Sequence, residues 1–249
     1  MRVFGDVYAV DGFPALYLDD IDVLVIADLH LGYELISAEH GVFVPRVQFK
    51  KSVAMVKRIL EKKSASRLLI LGDVKHEFSE TGYHEYKEVS DFFEEMLRFF
   101  KEVIVVRGNH DTFITRITRK YGIKVYDEFV ERDYFFTHGH KSKDLNDVKK
   151  GSTVFLGHEH PSIALFTDVG VKEKMKCFLY GTFRGKRVVV LPAFSYFAEG
   201  SDVNLVPREA LLSPLLRDLD VDRMKVIGVL ENDRLLRFPS VGMLRRFYE

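Results

Sequence analysis

Tryptophan is absent from this chain of 249 residues, and cysteine occurs once. A lone thiol, Cys177, excludes an internal disulfide framework and suits a reducing compartment. No apolar run approaches the roughly 18 residues that a bilayer span needs. The opening MRVFGDVYAV lacks the basic-then-apolar form of a secretion signal. The expected location is cytoplasmic, with no membrane partner. Net charge is missing as well, since 37 Lys and Arg balance 37 Asp and Glu. Bulk electrostatics therefore gives no footprint of a dedicated duplex-binding protein, though a local basic groove stays open.

There is also no linker, no low-complexity run and no internal repeat. What is present is a periodic pattern of apolar segments. Residues 2–10 and 13–18 alternate around Asp11-Gly12 and predict an opening hairpin. DVLVIADLH predicts a strand whose apolar part ends at Ala27. After a loop, Val47, Val53, Val56, Ile59 and Leu60 recur at helical spacing behind Pro45. RLLILGDVKHEF is the next strand with its exit, followed by a helix over about 83–101. EVIVVRGNHD supplies a third strand, and a short helix is predicted near 112–121. Strand and helix in alternation are the grammar of a mixed α/β sheet.

From residue 123 the pattern changes. Strands near 133–137, 153–156, 163–167, 176–183 and 187–191 follow with little helix between them, and GTFRGKRVVVL turns at Arg184–Lys186. They predict a mostly antiparallel second sheet. A helix near 208–218, a hairpin over 224–238 and a terminal amphipathic turn complete the tail. The expected architecture is α/β: two packed mixed sheets flanked by helices. Residues 1–249 are expected to form one domain, with 200–249 as an integral extension.

The polar residues gather where strands end. Ala27 is followed by Asp28-Leu29-His30, and Leu71 by Gly72-Asp73 with His76 three residues on. Val106 is followed, after Arg107, by Gly108-Asn109-His110-Asp111. Thr137 leads into His138-Gly139-His140, and Leu156 into Gly157-His158-Glu159-His160. Seven of the nine histidines lie in these five exits; His40 and His84 fall outside and read as surface residues. Taken singly, Asp28-x-His30 and Asn109-His110 read more readily as strand-ending turns, His138-Gly139-His140 fits a hairpin corner, and His158-x-His160 reads equally well either way. Together they would converge on one rim, outside the carboxyl ends of the strands. Imidazoles with carboxylate and amide oxygens, and no nearby thiolate, suit Mn, Fe or Zn.

The order D-x-H, G-D, G-N-H-D, H-G-H, G-H-x-H resembles that of the calcineurin-like metallophosphoesterases over about residues 22–161. DLHLGYE, GVFVPR, GDVKHEF and LPAFSYFAEGSDVN resemble more narrowly the archaeal nuclease-related and bacterial DNA-ligase-associated members. The resemblance implies two divalent cations that share one carboxylate and a water or hydroxide. Manganese is preferred, and iron, nickel or zinc would suit the same donors. The first ion would take Asp28, His30, Asp73 and His160. The second would take Asp73, Asn109, His138 and His158. His110 would be the histidine beside the scissile phosphate. His76 matches the nuclease branch and either orients His110 or is a solvated loop residue.

Other roles stay open. Arg46 either reaches a phosphate or starts the first long helix on its solvent face. Arg107 lies near the rim or simply pairs with a carboxylate. His140 and Asp111 would hold the loops rather than an ion. No insertion long enough to cap the site separates the motifs. An open site and the resemblance point to a phosphodiesterase acting on nucleotide or nucleic-acid ends, such as 2′,3′-cyclic phosphodiesters. The partners would be a phosphodiester or nucleotide substrate, with nucleic-acid ends or a nucleic-acid-processing enzyme as the further alternatives. The alternatives are a DNA nuclease, or a non-catalytic metal-stabilised scaffold docked on a nucleic-acid enzyme. The sequence leaves the oligomeric state open.

Overall fold

The structure, a computed structural model, describes residues 1–78, 82–167, 169–198 and 200–247. A first sheet of seven strands runs in chain order. It comprises β1 (Arg2–Phe4), β2 (Val7–Ala9), β3 (Leu16–Leu18), β4 (Val23–Ile26), β5 (Arg67–Leu71), β6 (Glu102–Val106) and β7 (Lys124–Tyr126). β1 to β4 pair antiparallel, and β4 to β7 pair parallel. β4, β5 and β6 are largely buried on both faces, which is why they read as apolar runs, whereas β7 lies at the edge and does not.

The second sheet has nine strands. They are β8 (Glu128–Glu131), β9 (Tyr134–Thr137), β10 (Thr153–Leu156), β11 (Pro161–Phe166), β12 (Lys172–Phe183), β13 (Lys186–Val190), β14 (Ser201–Asp202), β15 (Lys225–Leu230) and β16 (Arg234–Ser240). The turn predicted at Arg184–Lys186 falls at Arg184-Gly185 and joins β12 to β13. Antiparallel pairing dominates the flanks, but the centre is parallel: β10 pairs in parallel with both β9 and β13. The chain returns across the sheet between these strands, so β9 and β10 end at one edge.

Helices cover both outer faces. α1 (Tyr33–Glu39), α2 (Gln48–Lys62), α3 (Tyr83–Phe99) and α4 (Thr115–Thr118) precede the second sheet; α5 (Pro214–Arg217) and α6 (Val241–Arg246) follow in the tail. Three apolar layers result. Val56, Ile59, Phe92, Phe93 and Met96 of α2 and α3 pack on the outer face of the first sheet. Leu69, Ile104, Phe136, Phe155 and Phe178 fill the space between the sheets. Leu215, Leu216 and Leu244 cover the outer face of the second. Among the described residues no helix is long and apolar enough to cross a membrane.

Four local expectations change. The first predicted strand is split, because the chain already reverses at Gly5-Asp6 so that β1 and β2 pair with each other. The predicted loop after His30 contains α1, whose seven residues carry too few apolar positions to show a period. The helix expected near 112–121 is only one turn of α4 followed by a 3-10 turn. The one expected over 208–218 is a 3-10 turn at Arg208–Ala210 and then α5, which Pro214 starts afresh.

Candidate metal centre

All five polar exits meet in one place. β4, β5 and β6 deliver Asp28, Asp73 and Asn109 from the first sheet, and β9 and β10 deliver His138, His158 and His160 from the second. One group of ligand atoms, from Asp28, His30, Asp73 and His160, lies within 4.8 Å of one another, and so does a second from Asp73, His138 and His158. Asp73 belongs to both groups. His30 Nε2 faces His160 Nε2 at 3.3 Å, and His160 Nε2 lies 3.3 Å from an Asp28 oxygen. His138 Nε2 lies 3.2 Å from Asp73 Oδ2 and 3.1 Å from the Asn109 side-chain oxygen.

The backbone is bent to achieve this. Asp28, His30, Asp73, His158 and His160 all have positive φ, between 47 and 64°. Left-handed backbone costs a non-glycine residue about 1–2 kcal/mol, and five such residues at one site mark a locally strained set of turns. Two glycines make room for the donors. A Cβ on Gly72 would collide with the His138 imidazole, and one on Gly108 with the Asp73 carboxylate.

Hydrogen bonds tie the candidate ligands and their loops together. His138 Nδ1 donates to the Leu71 carbonyl at 2.9 Å, which leaves Nε2 towards Asp73. His158 N–H donates to Asp28 at 3.2 Å, and His110 N–H to Asp73 Oδ1 at 2.9 Å. Asp111 is fully buried and ties two exits together. Its Oδ1 accepts from Val74 N–H at 2.8 Å, and its Oδ2 from Gly108 N–H at 2.9 Å.

Charge at the site is unbalanced. Burial works against the Asp73 carboxylate, but His138 and its neighbours outweigh it and hold Asp73 well below the usual carboxylate range. Asp28 is likewise held low, against its burial, by His160 and His138. Burial drives His30 down to about 3 and His158 to about 4, so both are neutral at pH 7. His138 is pushed up, to about 9, because Asp73 and Asp28 overcome its burial. Two buried carboxylates beside the neutral imidazoles of His30 and His158 call for cations, and the convergent N and O donors are of the type that divalent transition ions take. The donor set fits a pair of such ions.

The remaining predicted residues sit at graded distances. His110 Nε2 is 3.8 Å from Asp73 Oδ2, and its Nδ1 donates to the carbonyl of His76. His76 thus touches His110 through its backbone, while its ring nitrogen lies 3.3 Å from His30 Nδ1. The His140 ring packs 5.3 Å from that of His138, and its buried Nδ1 has no hydrogen-bond partner among the described residues. Arg107 pairs at 3.9 Å with Asp127. Arg46 is exposed and lines a separate hollow of about 220 Å³ with Glu34, Phe49 and Glu88. His40 and His84 are exposed. In the stretch 191–204, Glu199 lies outside the described residues.

Sequence reasoning missed the supports. Gln48 is buried and bridges two segments: its amide donates to Leu29 O at 2.5 Å and accepts from Tyr196 N–H at 2.9 Å. Glu34 accepts from Val47 and Gln48 N–H, capping α2 from a distance. Glu85 accepts from the His76 and Glu77 amides at 3.0 and 2.8 Å, and Glu88 from Gly32 N–H at 3.1 Å. Glu159, the spacer between the two histidines, turns away from the donors and accepts from Ser213 N–H at 2.9 Å; Ser213 Oγ donates to Gly139 O. For Gln48, Glu85 and Glu88 the signal was an amide or acidic residue beside an apolar helical stripe; for Glu34, Glu159 and Ser213 the sequence carried none.

The family described as calcineurin-like phosphoesterase matches residues 21–222. Among solved structures, the fold is similar to the crystal structure of Pseudomonas putida nuclease MPE, with TM-score 0.60 and 22% identity over 90% of this chain and 92% of that one. The E. coli phosphoesterase Yfce aligns with TM-score 0.43 and 20% identity, over 72% of this chain and 83% of that one. A comparison with curated proteins finds no match.

Proposed function

The chain belongs to the calcineurin-like phosphoesterase family, and from that premise we propose that it is a phosphodiesterase requiring two divalent cations and acting on nucleotide or nucleic-acid ends. One ion is assigned to Asp28, His30, Asp73 and His160, and the other to Asp73, Asn109, His138 and His158. Manganese is the preferred ion. When bound, such a pair lowers the pKa of a water and clamps the entering and leaving oxygens of an in-line displacement.

The chain's own residues supply the rest. His110 is held by its Nδ1 proton on the His76 carbonyl, which leaves Nε2 directed at the site. Protonated there as well, it gives that proton to the leaving alkoxide as the ester bond breaks. Glu85 holds the His76 segment through two amides and so keeps that carbonyl in place. Residues 200–249 are read as part of the same domain, since Ser213 braces both histidine loops. One buried thiol and no second cysteine suit a reducing cytoplasm.

The observation that carries the reading is the convergence of donors from both sheets on Asp73. The test is hydrolysis of bis-p-nitrophenyl phosphate, p-nitrophenyl phosphate, 2′,3′-cyclic AMP and single-stranded DNA after chelation and Mn²⁺ re-addition, with Asp73→Asn as control. Metal-dependent diester turnover that Asp73→Asn abolishes is expected. Folded protein inert with Mn²⁺, Fe²⁺, Ni²⁺ and Zn²⁺ would overturn it.

A further inference from the structure

A row of aromatic rings leads away from the donors. Tyr33, in the first turn after the β4 exit, lies 4.9 Å from the His76 ring. Phe197 stacks on Tyr33 at 5.1 Å with an interplanar angle of 14°. Tyr196 follows at 5.1 Å, nearly edge-on to Phe197. Tyr33 and Phe197 are half-buried, and Tyr196 is 45% exposed. The row is not a by-product of core packing, because none of the three belongs to an apolar layer. The bonds that set the donors also set the rings: Ser195 N–H donates to Asp28 O at 2.9 Å, and Tyr196 N–H to Gln48.

Cations flank the far end. The Lys51 ammonium sits 3.1 Å over the Tyr196 ring. Beyond it opens a cavity of about 630 Å³, lined by Tyr196, Ala198, Lys174 and Lys176 among others. Asp202 and Glu231 face these two lysines at 3.5 and 3.3 Å, so the surface is cationic only in part. Rings carry the recognition here, and the ammoniums suit phosphates that run beside stacked bases.

We propose that Tyr33, Phe197 and Tyr196 form a nucleobase shelf, on which the base next to the scissile phosphodiester stacks, so that the substrate is a nucleic-acid strand with bases in place. This rests on the phosphodiesterase reading above. Base–aromatic stacking tolerates any sequence, since every base presents a π-face.

The test compares a short single-stranded oligonucleotide with an abasic strand of equal length, in wild type, Tyr196→Ala, Phe197→Leu and Tyr196→Phe. Two readouts are used: kcat and KM in the Mn²⁺-loaded enzyme, and quenching of tyrosine emission in the chelated protein. With no tryptophan in the chain, tyrosine dominates that emission. The base-bearing strand is expected to have a roughly ten-fold lower KM in wild type, in the range of one stacked base. Tyr196→Ala and Phe197→Leu should erase that advantage, and Tyr196→Phe should keep it. Equal KM for both strands in wild type, or an undiminished advantage in Tyr196→Ala, overturns the shelf. Should neither strand be cleaved, the phosphodiesterase reading falls. Quenching then decides the shelf alone: it stands if only the base-bearing strand quenches, and falls if the two strands do not differ.

Discussion

His138, at the end of a strand of the second sheet, donates its Nδ1 proton to Leu71, at the end of a strand of the first, over 2.9 Å. The imidazole reaches that carbonyl across Gly72, whose missing side chain leaves the space it occupies. Gly72→Ala should therefore cost metal although glycine carries no donor. The expected loss in affinity for one of two ions is about 10–100-fold, as for removal of a group that orients a ligand. Metal content after dialysis, by mass spectrometry, checks this. Two ions retained by Gly72→Ala would show that His138 does not depend on the gap.

Neighbouring residues of one turn should separate cleanly. Asn109 faces His138 at 3.1 Å among the donors, whereas His110 is tied back to the His76 carbonyl. Asn109→Ala should lose one ion. His110→Ala should keep both and lose about 10²–10⁴-fold in kcat. Full turnover by His110→Ala on every diester would remove its assigned role.

Asp111 is buried with backbone N–H groups of two loops on its oxygens. Burial, reinforced by the charge of Asp73, raises its pKa to about 6. Asp111→Ala strands those two amides and should cost about 2–6 kcal/mol, taking 1–3 kcal/mol per unsatisfied group. Asp111→Asn keeps an acceptor and should cost less. Denaturant midpoints at constant slope measure both.

For the metal-free protein the histidines set a stability window. His30, His140 and His158 have folded pKa values of about 3, 4 and 4, lowered first by burial, against about 6.5 when unfolded. As pH falls from about 6.5 towards 4, the unfolded chain takes up protons that these three refuse, so stability drops. Asp111, at about 6 folded, takes up a proton over the same span and offsets one of the three. His138 works on the other side: its contribution is complete below about 6.5 and is lost as pH rises through about 9. Unfolding of chelated protein should be hardest near pH 6.5 and easier at pH 4.5 and 9.5. A monotonic rise through pH 9.5 would contradict the charge assigned to His138.

The sequence was legible where physics is local. Buried parallel strands are unbroken apolar runs, and each donor follows its strand within a few residues, so strand ends and donors could be read together. The supports were illegible for the opposite reason. Gln48, Glu85 and Glu88 sit on helices, where a polar residue ordinarily reads as a solvent face, and their partners lie in other segments. Glu159 looked like a spacer because Ser213, which it meets, is 54 residues away. Tyr33 and Phe197 stack across a still longer separation. The parallel centre of the second sheet was hidden because pattern shows that a strand exists, not which neighbour it takes.

The bond between Glu159 and Ser213 makes the tail a debt that the histidine loop carries. A buried carboxylate has to find donors, and the Ser213 amide that meets Glu159 comes from a segment 54 positions downstream. A natural variant trimmed before residue 213 could not keep glutamate between the two histidines without penalty. Shortened relatives should therefore carry a small or neutral residue there, and the two changes should be inherited together.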